Sequence, residues 1–535
     1  MSNRFKFRLS YCAVLVGTAM STSAFAADKE LLDILLTNQK ITQEQYNYLM
    51  AKEQENAKKV EDLKALEARL DAKQKKLEQL EKKLDVSESH SNSGSGEVKV
   101  GEKGLEFESK DGNFKAAIGG RLQVDSQVNF NQDEVLAATG AARTNELSDG
   151  VNIRRARVHL EGTMFKDYGY KFEYDFSRGN GTVAAGITDA YLTWNALKPF
   201  SLTIGQFKEP FSLEEATSNR YITFIERNMA VNTFSDNPNA YKVGLAGSYF
   251  TNRWSATGAI QTEPVGGGWA YNTSVNTYPT SASNVNGSNS RSNGSGDTSW
   301  DVTGRITARP WLTDAAHFLH VGAAGSYRSI DNNYNADGSF SNGGMAFFAT
   351  LNGNVDRTNI LNTGSLTNSK GVGHYELEHM TRFGGEAALV YGSFSAQAEY
   401  LQTNLSGTGY TDETLQGYYA YASWFLTGES RVYKAKTGAW DRIIPHSNFD
   451  MHGGLGAWEV AVGYDYLDLS DGIVNGGQAD TVKFGVNWYM NSHFKLMANL
   501  IHVLDVNTNG MSNVRSAAFN DTNPDILEFR GQVDF

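Results

Sequence analysis

From residue 97 onward the chain alternates apolar and polar side chains in steps of two, and nowhere in that region do 18 apolar residues follow one another. A period of two is the signature of strands, and the missing apolar runs exclude membrane-spanning helices. Phe114, Ala116, Ile118, Gly120, Leu122 and Val124 share one parity, opposite Lys115, Ala117, Gly119, Arg121, Gln123 and Asp125. A soluble sandwich would alternate in the same way. The spacing of the connections separates the two architectures. Alternating stretches pair across tight turns: 151–163 with 168–178, 187–195 with 200–208, 241–250 with 253–261, and 300–309 with 318–328. Further pairs are 381–391 with 394–404 and 479–490 with 494–504, while 415–427 and 455–468 pair across a longer link. With 113–130 and 526–535 the count reaches 16 strands.

Longer polar stretches rich in Gly, Asn and Ser, such as 262–299 and 329–380, separate the pairs. Short turns alternating with long loops predict an all-β transmembrane barrel of 16 antiparallel strands. Closure satisfies every strand backbone group where no water can. Phe165, Tyr168, Phe200, Phe250, Trp254, Phe394 and Phe494 crowd the short turns, as an interfacial aromatic girdle requires. In the last stretch Leu527, Phe529, Gly531, Val533 and Phe535 share one face, opposite Glu528, Arg530, Gln532 and Asp534. A last strand ending in Phe resembles the assembly signal of bacterial outer-membrane barrels, which makes the barrel assembly machinery an expected partner.

Upstream, the pattern changes. Arg4, Lys6 and Arg8 precede an apolar stretch from Tyr11 to Met20, and Ala24-Phe25-Ala26 supplies a small-x-small cleavage pattern. Residues 1–26 therefore read as a signal peptide. The single Cys of the chain, Cys12, falls inside it, which excludes a disulfide scaffold or a Cys-based zinc site. Residues 27–86 read as a helical coiled-coil segment in the periplasm. Thr42-Gln43-Glu44-Gln45 forms a capping box, and Leu63, Leu66, Leu70, Lys73, Leu77, Leu80 and Leu84 follow at alternating steps of three and four. Residues 87–96 form a Ser/Gly linker, and 97–535 the barrel.

If the apolar parity faces lipid, the other lines the bore. Arg155, Arg157, His159 and Glu161 then point inward, as do Lys171, Glu173, Asp175, Asp189, Tyr191, Thr193 and Asn195, with Arg121 nearby. Arg154 falls on the outward parity but close to its strand end, where it can reach an interface or bend toward a loop. A row of guanidinium groups stays charged and can grip two oxygens at once. Several weak sites in series let an anion enter and still leave. The same Arg and acidic residues can instead pair as structural ladders across the lumen. The formal charge is -12, and from residue 97 on the chain carries 33 Lys and Arg against 46 Asp and Glu. Net charge thus excludes a general nucleic-acid binder and lends no support to anion selectivity; only the local arrangement can.

The stretch V-N-I-R-R-A-R-V-H-L-E-G-T-M-F-K-D-Y-G-Y-K-F-E-Y-D-F (151–176) resembles the phosphate-selective porin O and P family. So do I-T-D-A-Y-L-T-W (187–194), G-Q-F-K-E-P-F-S-L-E-E-A-T-S-N-R-Y-I-T-F-I-E-R (205–227), W-F-L-T-G-E-S-R-V-Y (424–433) and G-A-W-E-V-A-V-G-Y-D-Y-L-D-L (456–469). The resemblance implies a homotrimer in the outer membrane, in contact with its lipid and lipopolysaccharide. It also implies an inward loop near 208–240 that narrows each pore. Carried over by motif, the anion-binding positions are Arg121, Arg154, Arg155, Asp189, Ser218 and Arg227, with Lys208 and Arg220 as neighbours; parity adds Arg157 as pore-lining. Two positions depart from the phosphate-specific pattern. Glu215 stands where a key Lys is placed, and Asn219 replaces the second Ser; Gly463 also stands where many relatives carry Arg. A carboxylate about 4 Å from a bound phosphate would repel it by several kcal/mol.

The leading expectation is passive, anion-preferring diffusion, with phosphate or polyphosphate as candidate solutes. A weakly selective general porin and a barrel-anchored tether to the cell wall stand beside it. No enzyme or cofactor is expected: His159, His374, His379, His446 and His452 come without G-x-S-x-G or H-E-x-x-H. Asp465, Asp468 and Asp471 do not match an EF-hand loop.

Overall fold

The computed structural model describes residues 29–52, 58, 96–101, 104–138, 146–177, 186–236, 240–262, 299–330, 332, 345–368, 373–508, 510–511 and 513–535. The signal peptide, the leucine seam and, apart from Gly96, the Ser/Gly linker lie outside these residues. The chain divides into two units, Met1–Ser95 and Gly96–Phe535. In the first, helix α1 (Lys29–Thr37) is followed by helical residues 43–52. The capping box closes reciprocally. The Thr42 amide donates to Gln45 Oε1 at 3.0 Å, and the Gln45 amide donates to Thr42 Oγ1 at 3.3 Å. The Tyr46 hydroxyl donates to Asp33 Oδ1 at 2.5 Å and ties the two helical pieces together.

The second unit is a closed barrel. Its strands are β1 (Phe114–Phe130), β2 (Gly150–Met164), β3 (Tyr168–Asp175), β4 (Gly186–Trp194), β5 (Phe200–Lys208), β6 (Tyr241–Phe250), β7 (Trp254–Thr262) and β8 (Trp300–Asp314). They continue as β9 (His317–Ser329), β10 (Glu376–Tyr391), β11 (Phe394–Thr408), β12 (Glu413–Phe425), β13 (Ala457–Asp471), β14 (Val474–Tyr489), β15 (Phe494–Asn507) and β16 (Asp525–Asp534). Each pairs antiparallel with its neighbour in sequence, and β16 returns to β1 with Asp525 opposite Phe130 and Asp534 opposite Arg121. That seam leaves no open edge. At its lower end the Phe535 and Gly120 backbones exchange two hydrogen bonds, of 3.0 and 2.8 Å.

Over most of the wall the inward residues are buried and the outward ones apolar, with Val158, Leu160, Phe172, Ile306 and Phe484 among those exposed. At the turns Phe165, Tyr168, Trp254, Phe394 and Phe494 are exposed, as a girdle would be. Three connections break the expected short-long alternation. The links 409–412 and 472–473 are tight although they lie at the loop end, and the long link 426–456 lies at the turn end. A hairpin of Glu97–Gly101 and Gly104–Glu108 was not expected from the sequence. It adds to β1 below the seam, with Leu105 opposite Ile118.

The bore is not empty. Loop residues Phe211, Phe224, Met229, Val231 and Phe234 pack with Met345, Phe347, Leu351, Ile360 and Leu361 of the 330–375 loop. Inward wall residues Leu401, Leu405, Leu415, Leu467, Val503 and Ile526 complete this cluster. From the turn end, the 426–456 link carries Trp440 into the lumen. Its indole N–H donates to Gln397 Oε1 at 2.5 Å, and its backbone amide donates to Thr217 Oγ1 at 3.2 Å.

Candidate functional site: the narrowed bore

Residues 209–236 cross the lumen because polar wall groups receive them on several sides. Glu399 of β11 accepts the Leu213 and Glu214 amides at 2.9 and 2.8 Å, at the start of the single helical turn Leu213–Ala216. Asp465 of β13 accepts the Met229 amide at 2.7 Å, and Asn499 of β15 accepts the Ile225 amide at 2.6 Å. Each contact supplies a partner to a backbone group that would otherwise be buried without one.

Two bulges aim side chains into this region. On β2, Gln123 of β1 faces Arg155 but Val124 faces Ile153, so Arg154 is an extra residue. The bulge turns Arg154 inward, correcting the outward placement that simple parity gives. Its guanidinium forms a two-pronged pair with Glu226 of the loop, at 2.8 and 2.9 Å. On β4 a second bulge sets both Thr188 and Asp189 inside.

The remaining candidates fall into charge pairs. Arg121 donates to Glu173 at 2.5 Å and also contacts Asn219. Arg155 donates to Gln123 at 3.0 Å and lies 3.7 Å from Glu226. Arg157 bridges Asp175 at 2.7 Å, Glu173 at 3.0 Å and the Tyr241 hydroxyl at 3.0 Å. Asp189 receives Lys171 at 2.7 Å. Arg220 lies 3.5 Å from Asp534, and its N–H groups reach Ser218 Oγ at 3.4 Å. Arg227 pairs with Glu215 at 3.0 Å, and Lys208 pairs with the same carboxylate. Glu215 is therefore a buried counter-ion between two cations.

The structure thus brings all ten candidates to one section of the bore, and as a compensated network. Sequence reasoning missed several partners. Glu226 precedes Arg227 in a quoted motif, yet its partners Arg154, Arg155 and Arg530 lie far off in sequence. Arg530 also donates to Asp125 at 2.6 and 2.7 Å, and its inward parity was readable. Burial alone would push the Glu226 carboxyl up; Arg154 and Arg155, helped by Arg530, hold it well below the usual carboxylate range.

The exposure of four of the bore's charge pairs is lopsided. Side-chain exposure is 22% for Lys208 against 1% for Glu215, and 21% for Arg220 against 2% for Asp534. It is 19% for Lys171 against 1% for Glu173, and 15% for Arg154 against 5% for Glu226. In these four pairs water meets the cation first, whereas Asp189, the nearer partner of Lys171, is 11% exposed, and Arg155 with Glu226 is buried on both sides. Toward the turn end, a cavity of about 430 Å³ opens beside Lys171, lined also by Glu161, Tyr191, Thr193, Lys99 and Glu106. Among the described residues no cluster of three or more His, Cys, Asp and Glu could hold a metal.

Residues 117–535 match the profile of the phosphate-selective porin O and P family. The chain belongs to that family. Porin O of Pseudomonas aeruginosa is 31% identical over 409 residues, covering 74% of this chain and 84% of that protein. An uncharacterized protein of Caulobacter vibrioides is 26% identical over 395 residues, covering 74% of this chain and 69% of that one. Among solved structures, OmpT of Vibrio cholerae overlays with a TM-score of 0.44 at 11% identity, covering 79% of this chain and 98% of its own. An anion-selective porin from Comamonas acidovorans gives 0.43 at 11% identity, covering 79% and 100%. These overlays are loose, and membership rests on the sequence matches. As a member of this porin family, the protein is a barrel of the bacterial outer membrane.

Proposed function

We propose that this porin lets small hydrophilic anions diffuse through, with a preference that is real but weak. The observation that supports it is the lopsided exposure of the charge pairs. A permeating ion approaches Lys208, Arg220, Lys171 and Arg154 at contact distance, while the carboxylates sit behind them. Coulomb attraction falls with distance, so the nearer cation sets the sign of the field that the ion feels. Because each cation is already compensated, the well is shallow, and an ion that enters can leave. Tight phosphate selectivity would need guanidinium groups with unshared donors. Arg154 and Arg157 instead spend theirs on Glu226, Glu173 and Asp175. The same reading keeps the family's homotrimer, packed through the wall of short strands β3–β7, whose outward face carries Phe172, Leu192 and Ile204.

Purified channels in planar bilayers, bathed in potassium chloride and titrated with phosphate, test this. The expected response is a partial fall in current at millimolar phosphate. Full block in the micromolar range would replace the reading with a tight phosphate site, and no response at any concentration would remove the anion preference.

A further inference from the structure

The hydrophobic pattern inverts along strands β11–β14. In their lower parts the outward residues are apolar, Trp424, Val460, Val462, Phe484 and Val486, and the inward ones polar, among them Gln397, Ser423, Glu459 and Asn487. Toward the loop end the order reverses. Leu401, Leu405, Leu415, Leu467 and Leu469 point into the loop-filled core, while Gln402, Asn404, Gln416, Asp468, Gln478 and Asp480 face outward and are only half-buried. An outward amide or carboxylate is costly in hydrocarbon, so the reversal marks where these strands leave it.

The boundary is drawn by tyrosines. Tyr400, Tyr418 and Tyr466 lie directly opposite one another on successive strands, at the place where interfacial aromatics sit. Below them, at the turn end, Trp458 and Trp488 stack at 5.1 Å. From Trp458 to Tyr466 is eight steps of strand, roughly 20 Å of height at a barrel tilt, close to one apolar band. The next rung above the tyrosines reads Gln402, Gln416, Asp468 and Gln478, again directly opposite one another. By contrast, the outward loop-end residues of β1, β2 and β8 stay apolar, with Val128, Phe130, Val151, Ile153, Trp300 and Val302 exposed.

We infer that the projecting outer face of β11–β14 is a docking surface for the sugar headgroup of an outer-leaflet glycolipid. Continuity with the lipid-covered band supports that occupant: a glycolipid whose chains lie against Val462 and Phe484 must present its headgroup at this rung. The chemistry agrees. Side-chain amides both donate to and accept from sugar hydroxyls, carboxylates accept from them, and tyrosine rings offer flat apolar faces beside polar tips. The array is already ordered. The Tyr400 hydroxyl reaches Gln402 at 3.0 Å and Gln416 at 2.9 Å, Gln402 donates to Asn404 at 2.7 Å, and Gln478 donates to the Tyr466 hydroxyl at 2.8 Å. Less side-chain freedom is then lost on binding.

The test uses the purified full chain in detergent. It is titrated with lipopolysaccharide bearing an intact sugar core, with phosphatidylglycerol as the sugar-free comparison, and bound lipid is counted by native mass spectrometry. In the variant carrying Gln402→Ala, Gln416→Ala and Gln478→Ala, affinity for lipopolysaccharide should fall about tenfold or more, with phosphatidylglycerol binding unchanged. Equal lipopolysaccharide binding by variant and parent overturns the inference, and so does an equal loss for both lipids. Should the triple variant fail to fold, Gln416→Ala alone decides in the same way, with an expected loss of about threefold.

Discussion

Replacing Lys208 by Met removes one of the most exposed cations of the bore while leaving its carboxylate neutralised. Glu215 keeps Arg227 at 3.0 Å, so the change does not strand a buried charge. An ion passing about 5 Å from the Lys208 ammonium gains or loses about 0.8 kcal/mol in a water-like dielectric. Screening at physiological salt reduces this to about 0.5 kcal/mol. Loss of the cation takes that attraction from chloride and lifts the matching repulsion from potassium. The two effects add to about 1 kcal/mol in the permeability ratio, a change of about fivefold. Zero-current potentials of Lys208→Met and parent channels under the same salt gradient read the ratio directly. An unchanged ratio would refute the idea that the water-facing partner of each pair sets the selectivity.

The same network gives further expectations. Replacing Glu226 by Gln takes the counter-charge from Arg154 and Arg155 and should cost about 3–5 kcal/mol, seen as a lower midpoint of thermal unfolding and noisier open-channel current. Because the Glu226 carboxyl is held below its ordinary value, its stabilising contribution is present above about pH 4.3 and is lost as pH falls further; channel noise should stay flat from pH 7 to about pH 5 and rise only under stronger acid. Trp440→Ala should raise single-channel conductance, since the ring fills the lumen against Phe318, Tyr433 and Arg431. A Cβ at Gly120 would lie 2.9 Å from the Arg157 carbonyl oxygen and 3.0 Å from the Phe535 ring, so Gly120→Ala should lower the folded fraction seen by heat-modifiable gel mobility.

Parity made the barrel legible, because strand geometry forces alternate side chains to opposite faces whatever else they do. It places Arg157, His159, Glu173 and Asp189 inside, where they are buried. It failed at Arg154, where one inserted residue shifts the count and leaves no mark in the sequence. The charge pairs were harder still. Arg154 and Glu226 are 72 residues apart, and only the path of the loop across the lumen brings them together. The long 426–456 link was visible as an oddity, but its entry into the bore depends on contacts such as Trp440 with Gln397. On β11–β14 the inverted pattern is still a period of two, so it reads as strand while hiding which face meets lipid.

The most direct measurement is the zero-current voltage of the unaltered channel across a tenfold potassium chloride gradient in a lipid bilayer. Cations stationed in front of their carboxylates predict a sign showing chloride more permeant than potassium, by a modest factor. A sign favouring potassium would contradict the account.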